Sequence, residues 1–356
     1  MEGAKDIEAL VVHFTAGAAF GVLLLRIPVD RYFLSGGLFL ILASLVAVIL
    51  RTERRAFLFP AFLLCGMVCV LTDAFAGTGA ETLLERRAAV YADRLRMFID
   101  AIPFSSDETS PLLKAFLTGD RSGLSRQTVQ AFRDSGASHL LALSGMHMGI
   151  LYLLLTKILQ PAGNSPKAKR FRYSVILLTA SIFTLMTGAS PSIVRAFLFI
   201  VLNETACLLH RPRNPLRILS AALLIQLILA PSSIRSVGFQ LSYLAMAGIF
   251  LLYPVLESWY PKGFRFDPVR RIWQAAALSI SCQVFTGPLV WYRFRTFPTY
   301  FLITNLLAMP LTTLLMGTAI GTLFLQGVGC CPDILIRATD SLAQTLIKVL
   351  EIISSM

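Results

Sequence analysis

Runs of apolar residues long enough to cross a lipid bilayer follow one another along almost the whole chain, separated by short polar or basic connections. A spanning helix needs about 20 predominantly apolar residues, because the hydrocarbon layer is about 30 Å thick and offers no water to backbone N–H and C=O groups. The runs fall at 9–25, 32–50, 56–76, 139–159, 173–187, 192–209, 218–230, 238–256, 272–292 and 299–325. Composition agrees: 56% of the 356 residues are hydrophobic and 15% are charged, against about 45–50% and about 25% in soluble domains. The expected fold class is all-α, a polytopic helical membrane bundle of about ten transmembrane helices.

The formal net charge of +12 is carried by the connections, where basic residues orient spans and meet anionic headgroups. Arg51, Arg54, Arg55, Lys167, Lys169, Arg170, Arg172, Arg211, Arg213, Arg217, Lys262, Arg265, Arg270 and Arg271 fall in one set of alternate connections. Only Arg26, Arg31, Arg235, Arg293 and Arg295 fall in the other short ones. The richer set belongs in the cytoplasm, which predicts a multi-pass protein of the cell inner membrane with a cytoplasmic N-terminus. The residues before the first run carry three acids and one Lys, so the basic start of a cleaved signal peptide is missing and that run is expected to be retained.

Between the third and fourth runs, 77–138 has a different composition and is expected to face outward. There Leu84, Ala88, Tyr91, Leu95, Phe98 and Ile102 recur at helical spacing, with Thr82 and Glu85 as a capping box. This reads as an interfacial amphipathic helix. A second short helix is expected to start with Ser110 as cap and Pro111 at its first position and to end at Gly119, and a third to follow Ser125. The tail, with Arg337, Asp340 and Lys348 among Ile and Leu, predicts an amphipathic helix rather than a further span. The organisation is thus 1–76 as a three-span region, 77–138 as the amphipathic segment, 139–326 as a core and 327–356 as a tail.

Polar groups enter the apolar runs at a few places, and such intrusions are costly in lipid. In Gly136-Ala-Ser-His139-Leu-Leu-Ala-Leu-Ser144-Gly145-Met-His147-Met-Gly149, His139 and His147 lie eight apart, about 80° around one continuous helix, so with Ser144 they share a broad face without making a tight pair. Two readings stay open. The small residues, Gly145 among them, permit close helix approach while His and Ser bond across the interface, or the run lines a pore.

In Gly188-Ala-Ser190-Pro191-Ser192-Ile-Val-Arg195, Pro and Ser open a helix and Arg sits in its first turns. Arg195 is either an interfacial anchor or a guanidinium held toward a passing phosphate, for which its planar fork is suited. Glu204 beside Asn203, Gln226, Gln240 with Ser242, Gln283 and Asn305 also fall inside runs, and each either joins helices or faces a hydrophilic path. Pro288 and Pro310 mark expected helix interruptions.

The six cysteines mostly sit inside apolar runs with no metal-ligand spacing, and no nucleotide loop, zinc-protease helix, nucleophile elbow or carboxylate pair occurs. No enzyme activity, metal or cofactor is expected.

Several ordered motifs resemble a known family. They are Leu117-Thr-Gly119-Asp120-Arg121-Ser122-Gly123-Leu124, Phe132-Arg133, the His139 to Gly149 run, Ser190-Pro-Ser-Ile-Val-Arg195-Ala, Gly238-Phe-Gln240-Leu-Ser-Tyr-Leu-Ala245, Phe297-Pro298 and Asn305-Leu-Leu-Ala-Met-Pro310. Together they resemble the signature of the ComEC family of competence proteins. The resemblance implies an inner-membrane channel that passes single-stranded DNA into the cytoplasm during natural transformation. Fuller family members also carry an oligonucleotide-binding fold and a metallo-β-lactamase-like domain, and neither is evident in these residues. Separate DNA-binding and nuclease proteins would then be partners, beside membrane lipid. Candidate path residues are His139, Ser144, Gly145, His147, Ser192, Arg195, Glu204, Gln240, Gln283 and Asn305, with Arg86, Arg87, Arg94 and Arg96 near the entrance. A small-solute transporter and a structural membrane subunit are the alternatives.

Overall fold

A computed structural model describes residues 2–24, 58–76, 83–163, 165–260, 267–295 and 299–356. The expected run at 32–50, the Thr82–Glu85 capping box, the side chains of Arg86 and Arg87 and the Phe297-Pro298 motif lie outside the described residues. Every regular element among the described residues is helical, so the chain is all-α. In chain order these are α1 (Glu2–Leu24), α2 (Leu58–Ala76), α3 (Leu83–Asp100), α4 (Thr109–Thr118), α5 (Arg126–Asp134), α6 (Ser138–Leu141), α7 (Gly145–Ile158), α8 (Pro166–Met186), α9 (Pro191–Leu208), α10 (Pro215–Leu229), α11 (Val237–Leu251), α12 (Tyr253–Ser258), α13 (Pro268–Phe294), α14 (Phe301–Gly327) and α15 (Asp333–Ser354). By length and composition, Pro191–Leu208, Val237–Ser258 and Phe301–Gly327 can each cross a membrane, and Ala9–Leu23, Phe62–Leu71, Gly145–Ile158 and Pro215–Leu229 are shorter apolar helices.

The chain divides into two compact units. One comprises Met1–Glu81 with Leu198–Tyr243. Its tightest feature is the approach of α1 to α2. A Cβ on Gly17 would collide with the Leu63 backbone, and one on Gly66 with the Phe14 carbonyl, so the two helices touch backbone to backbone through reciprocal notches. Small residues are how helices associate where lipid removes the hydrophobic incentive. Phe14, Leu227 and Phe239 form the unit's buried cluster, with Phe62, Cys65, Cys69 and Tyr243 packed around it. Tyr243 Oη donates to Gln226 Oε1 at 2.9 Å, and Gln240 Nε2 donates to the Ile234 carbonyl at 2.7 Å.

The other unit is Thr82–Phe197 with Leu244–Met356. Its core joins segments far apart in sequence: Leu112, Leu113 and Phe116 of α4, Phe132 of α5, Leu140 and Leu141 of α6, Ala308, Leu315 and Ala319 of α14, and Leu346 and Leu350 of α15. Local signals shape these short helices. Ser125 caps α5 by accepting from the Thr128 N–H, and Gly119 closes α4 in the left-handed conformation at φ 80°, which a residue without Cβ adopts freely. The α4 start differs from expectation: the helix begins at Thr109, because the Ser110 hydroxyl is drawn away to Asp100.

Three further expectations are corrected. On the expected α3 face Ala88 and Ile102 are buried and Leu95 packs against the core, but Tyr91 is 58% exposed, with Ala92 and Ile99 buried instead. Pro288 and Pro310 lie inside continuous helices α13 and α14. The helix break falls instead between α6 and α7, where Ala142 and Ser144 are extended, so His139 and His147 do not share one helix.

Overpacking a tight contact costs about 1–3 kcal/mol. Gly17→Leu and Gly66→Leu are therefore expected to lower the thermal unfolding midpoint of the detergent-solubilised chain, whereas Gly149→Ala, with nothing within 4 Å, leaves it unchanged.

Candidate functional site

The site is built on the first turn of α7. Helices leave their first N–H groups without internal partners, and within an apolar layer those groups need acceptors. Ser144 Oγ accepts from the Met146 N–H at 3.3 Å, and the Ser144 N–H donates to His147 Nδ1 at 3.3 Å. This is a capping box with an imidazole in the place usually held by Glu or Gln. With Nδ1 accepting, the neutral ring carries its proton on Nε2. That atom is buried and has no hydrogen-bond partner among the described residues. The ring packs edge-on to Phe116, with centroids 5.3 Å apart.

On another side of the same turn lies Arg195, only 6% exposed. A Cβ on Gly145 would come within 2.7 Å of its Nη2 and 3.4 Å of the Ala196 Cβ. The guanidinium thus occupies the space that a side chain at position 145 would need. Two motifs some fifty residues apart in sequence, 136–149 and 188–195, are brought together at the N-terminal ends of α7 and α9. Both helix starts carry partial positive charge, so the meeting point is electropositive.

The remaining candidates separate. His139 is exposed and its Nδ1 lies 3.2 Å from the Gly136 carbonyl. Ser192 sits in the first turn of α9, half-buried. Gln283 of α13 and Asn305 of α14 each hold a buried polar atom without a partner among the described residues. Glu204, 3.4 Å from Asn203 Nδ2, and Gln240, tied to a carbonyl, belong to the first unit.

Sequence reasoning missed Thr312 and Phe116. Thr304, Ala308, Thr312, Ala319 and Thr322 form one fully buried stripe of α14. Thr304 donates to the Ser135 carbonyl at 2.7 Å and Thr322 pairs with Thr339 at 3.0 Å, but the Thr312 hydroxyl has no partner among the described residues. A buried polar group left in this state costs about 1–3 kcal/mol. The recurrence of Thr along an apolar run was the available signal.

The 117–124 motif is a structural turn. Beyond the Gly119 cap, Asp120 accepts from the Ser122 N–H at 3.0 Å and hydroxyl at 2.7 Å, an Asx-type turn. Arg96 bridges Asp93 at 2.8 Å and Asp120 at 3.4 Å, so its charge is compensated rather than offered to an incoming anion. Arg94 lies over the Tyr91 ring, 5.9 Å from its centroid. Lys114 bridges Asp100 at 2.8 Å. Among the described residues no three His, Cys, Asp or Glu side chains converge on a common point.

The fold and this site define an all-helical membrane protein in which two helix starts close-pack around a buried arginine. Residues 116–356 match the family model described as competence protein, and the chain belongs to that family. It is 26% identical over 222 residues to ComE operon protein 3 of Bacillus subtilis, covering 62% of this chain and 27% of that protein. It is 25% identical over 214 residues to Recombination protein 2 of Haemophilus influenzae, covering 58% and 27%, and 23% identical over 201 residues to YcaI of Escherichia coli, covering 55% and 26%. The chain thus spans about a quarter of the length of the curated relatives it matches. No solved structure matches it.

The Lys114 and Ser110 bonds hold the Asp100 carboxyl below the usual carboxylate range, and the Ser122 bonds do the same for Asp120. A depressed native pKa contributes stability above the unfolded value, about 3.9 for Asp, that is lost as pH falls through the native value. The α3–α4 junction is expected to gain sensitivity to an acid-active protease below about pH 4. Asp120→Asn should be more sensitive at pH 7 and change less on acidification.

Proposed function

We propose that the chain is a nonenzymatic inner-membrane conduit that passes single-stranded DNA into the cytoplasm during natural transformation. The observation that carries this reading is the meeting of two family motifs at one electropositive turn, with the Arg195 guanidinium laid against Gly145. A guanidinium fork suits a phosphodiester, and repeated contacts of this kind hold a backbone without reading its sequence. The printed names of the relatives, a ComE operon protein and a recombination protein, support a role in DNA uptake.

In this reading about ten spans cross the inner membrane with the N-terminus in the cytoplasm, as the distribution of Lys and Arg favours. The path candidates of the second unit, His147, Arg195, Gln283 and Asn305, face the strand, and DNA-binding and nuclease proteins are its expected partners.

Deleting the gene in a transformable host and following labelled DNA tests the reading. Cytoplasmic entry is expected to fall to background and to return with the intact chain. Arg195→Ala should restore little of it, with Arg195→Lys in between, since a point charge replaces the bidentate fork. Unchanged entry in the deletion strain would overturn the proposal.

A further inference from the structure

Phe116 stands at the centre of a sealed arrangement. Leu112, Leu113, Phe116, Phe132 and Leu140 are completely buried, and Phe116 meets Phe132 with centroids 6.5 Å apart and His147 on its other side at 5.3 Å. The segment bearing them, α4 to α6, is fitted between the first turn of α7 and the helices α14 and α15. Close packing of this kind leaves no room for a nucleic-acid strand.

The same arrangement leaves polar groups unused. His147 Nε2 and the Thr312 hydroxyl are both enclosed without a partner among the described residues. Buried polar atoms are almost always hydrogen-bonded, and exceptions call for a reason. The segment is clasped by polar bonds: Thr109 Oγ1 donates to the buried Asp340, Thr304 to the Ser135 carbonyl, and Gln127 Nε2 to Glu351 Oε1 at 3.0 Å. Unlike a wholly apolar seam, these bonds can be exchanged for bonds to water or a ligand.

We propose that α4–α6 is a plug: with Phe116 seated on His147 the route at the start of α7 is shut, and withdrawal of the plug presents the His147 Nε2–H to the phosphodiester of the passing strand. This rests on the proposed conduit and adds its gate.

The test locks the plug in place in the full-length chain. Thr109→Cys with Asp340→Cys places two thiols where two short side chains touch, and their oxidation joins α4 to α15. Gln127→Cys with Glu351→Cys, which replace the partners of an exposed hydrogen bond, is bridged by a bis-maleimide containing a cleavable disulfide. In the transformable host, labelled DNA entry is expected to fall about tenfold when roughly nine-tenths of the chains are locked, and to recover on reduction. Entry by fully locked chains within about twofold of the reduced chains overturns the plug. The exposed pair decides the matter alone if the buried pair folds poorly.

A second arm does not depend on DNA uptake. In a planar bilayer, the purified Phe116→Ala chain should pass ion current that the parent does not, and the Gln127–Glu351 bridge should suppress it. If the parent chain supports no DNA entry, the conduit reading fails and this arm decides the plug by itself: no current from Phe116→Ala overturns it.

Discussion

A helix start shut away from water must find acceptors for its own first N–H groups, and α7, whose His147 is completely buried, depends on this. Water supplies them at an aqueous surface; hydrocarbon does not. Ser144 and His147 meet the requirement from within the chain, and three further features of the site follow. The imidazole is fixed in one tautomer because Nδ1 is engaged. Its other nitrogen is left as a donor with nothing to bond. Arg195 can lie against the turn only because position 145 has no side chain to exclude it.

The helices around this turn are organised by the same demand that polar groups be placed rather than merely tolerated. α15 buries Ile336, Ala343, Leu346, Leu350 and Ile353 along one stripe, and one carboxylate, Asp340, interrupts it. Asp340 accepts from Thr109 on one side and from Gln344, at 3.1 Å, on the other. A purely apolar stripe could slide by one turn against its neighbour. A buried carboxylate with a dedicated donor resists that slide, so while α4 is seated the contact sets the register of α15 on it, as buried polar groups fix register elsewhere.

The helices themselves were legible because an apolar run long enough to span a bilayer has few other folded forms. Nine of the ten expected runs fall on helices, and the remaining one lies outside the described residues. The break at 142–144 was not legible, since Ala142 and Leu143 look like any other apolar pair and the signal lay in Ser144 and His147 acting together. Pro288 and Pro310 misled for the opposite reason: a proline removes one N–H, but neighbouring helices hold the rest of the ladder in place. The shared core of α4, α14 and α15 could not be read from local pattern at all, because it joins residues about two hundred positions apart.

The polar residues within the apolar runs are best sorted by what bonding capacity they retain. Gln226 and Gln240 have oxygen or nitrogen committed to Tyr243 and Ile234, and Arg96 has its charge matched by two carboxylates. Such groups hold helices or turns together, and recruiting them to a ligand would first break what they hold. His147 Nε2, Ser190 Oγ, Gln283 Nε2, Asn305 Oδ1 and the Thr312 hydroxyl of the second unit retain capacity among the described residues, as do Arg217 Nε and Ser233 Oγ of the first. Under the proposed conduit a polyanion needs donors that engage and release easily, which His147 Nε2, Gln283 Nε2 and the Thr312 hydroxyl can supply and the Asn305 Oδ1 acceptor does not. On that proposal His147 and Gln283 suit a strand better than Gln226 and Gln240, whose polar atoms are already committed, a division that polarity along the sequence does not make.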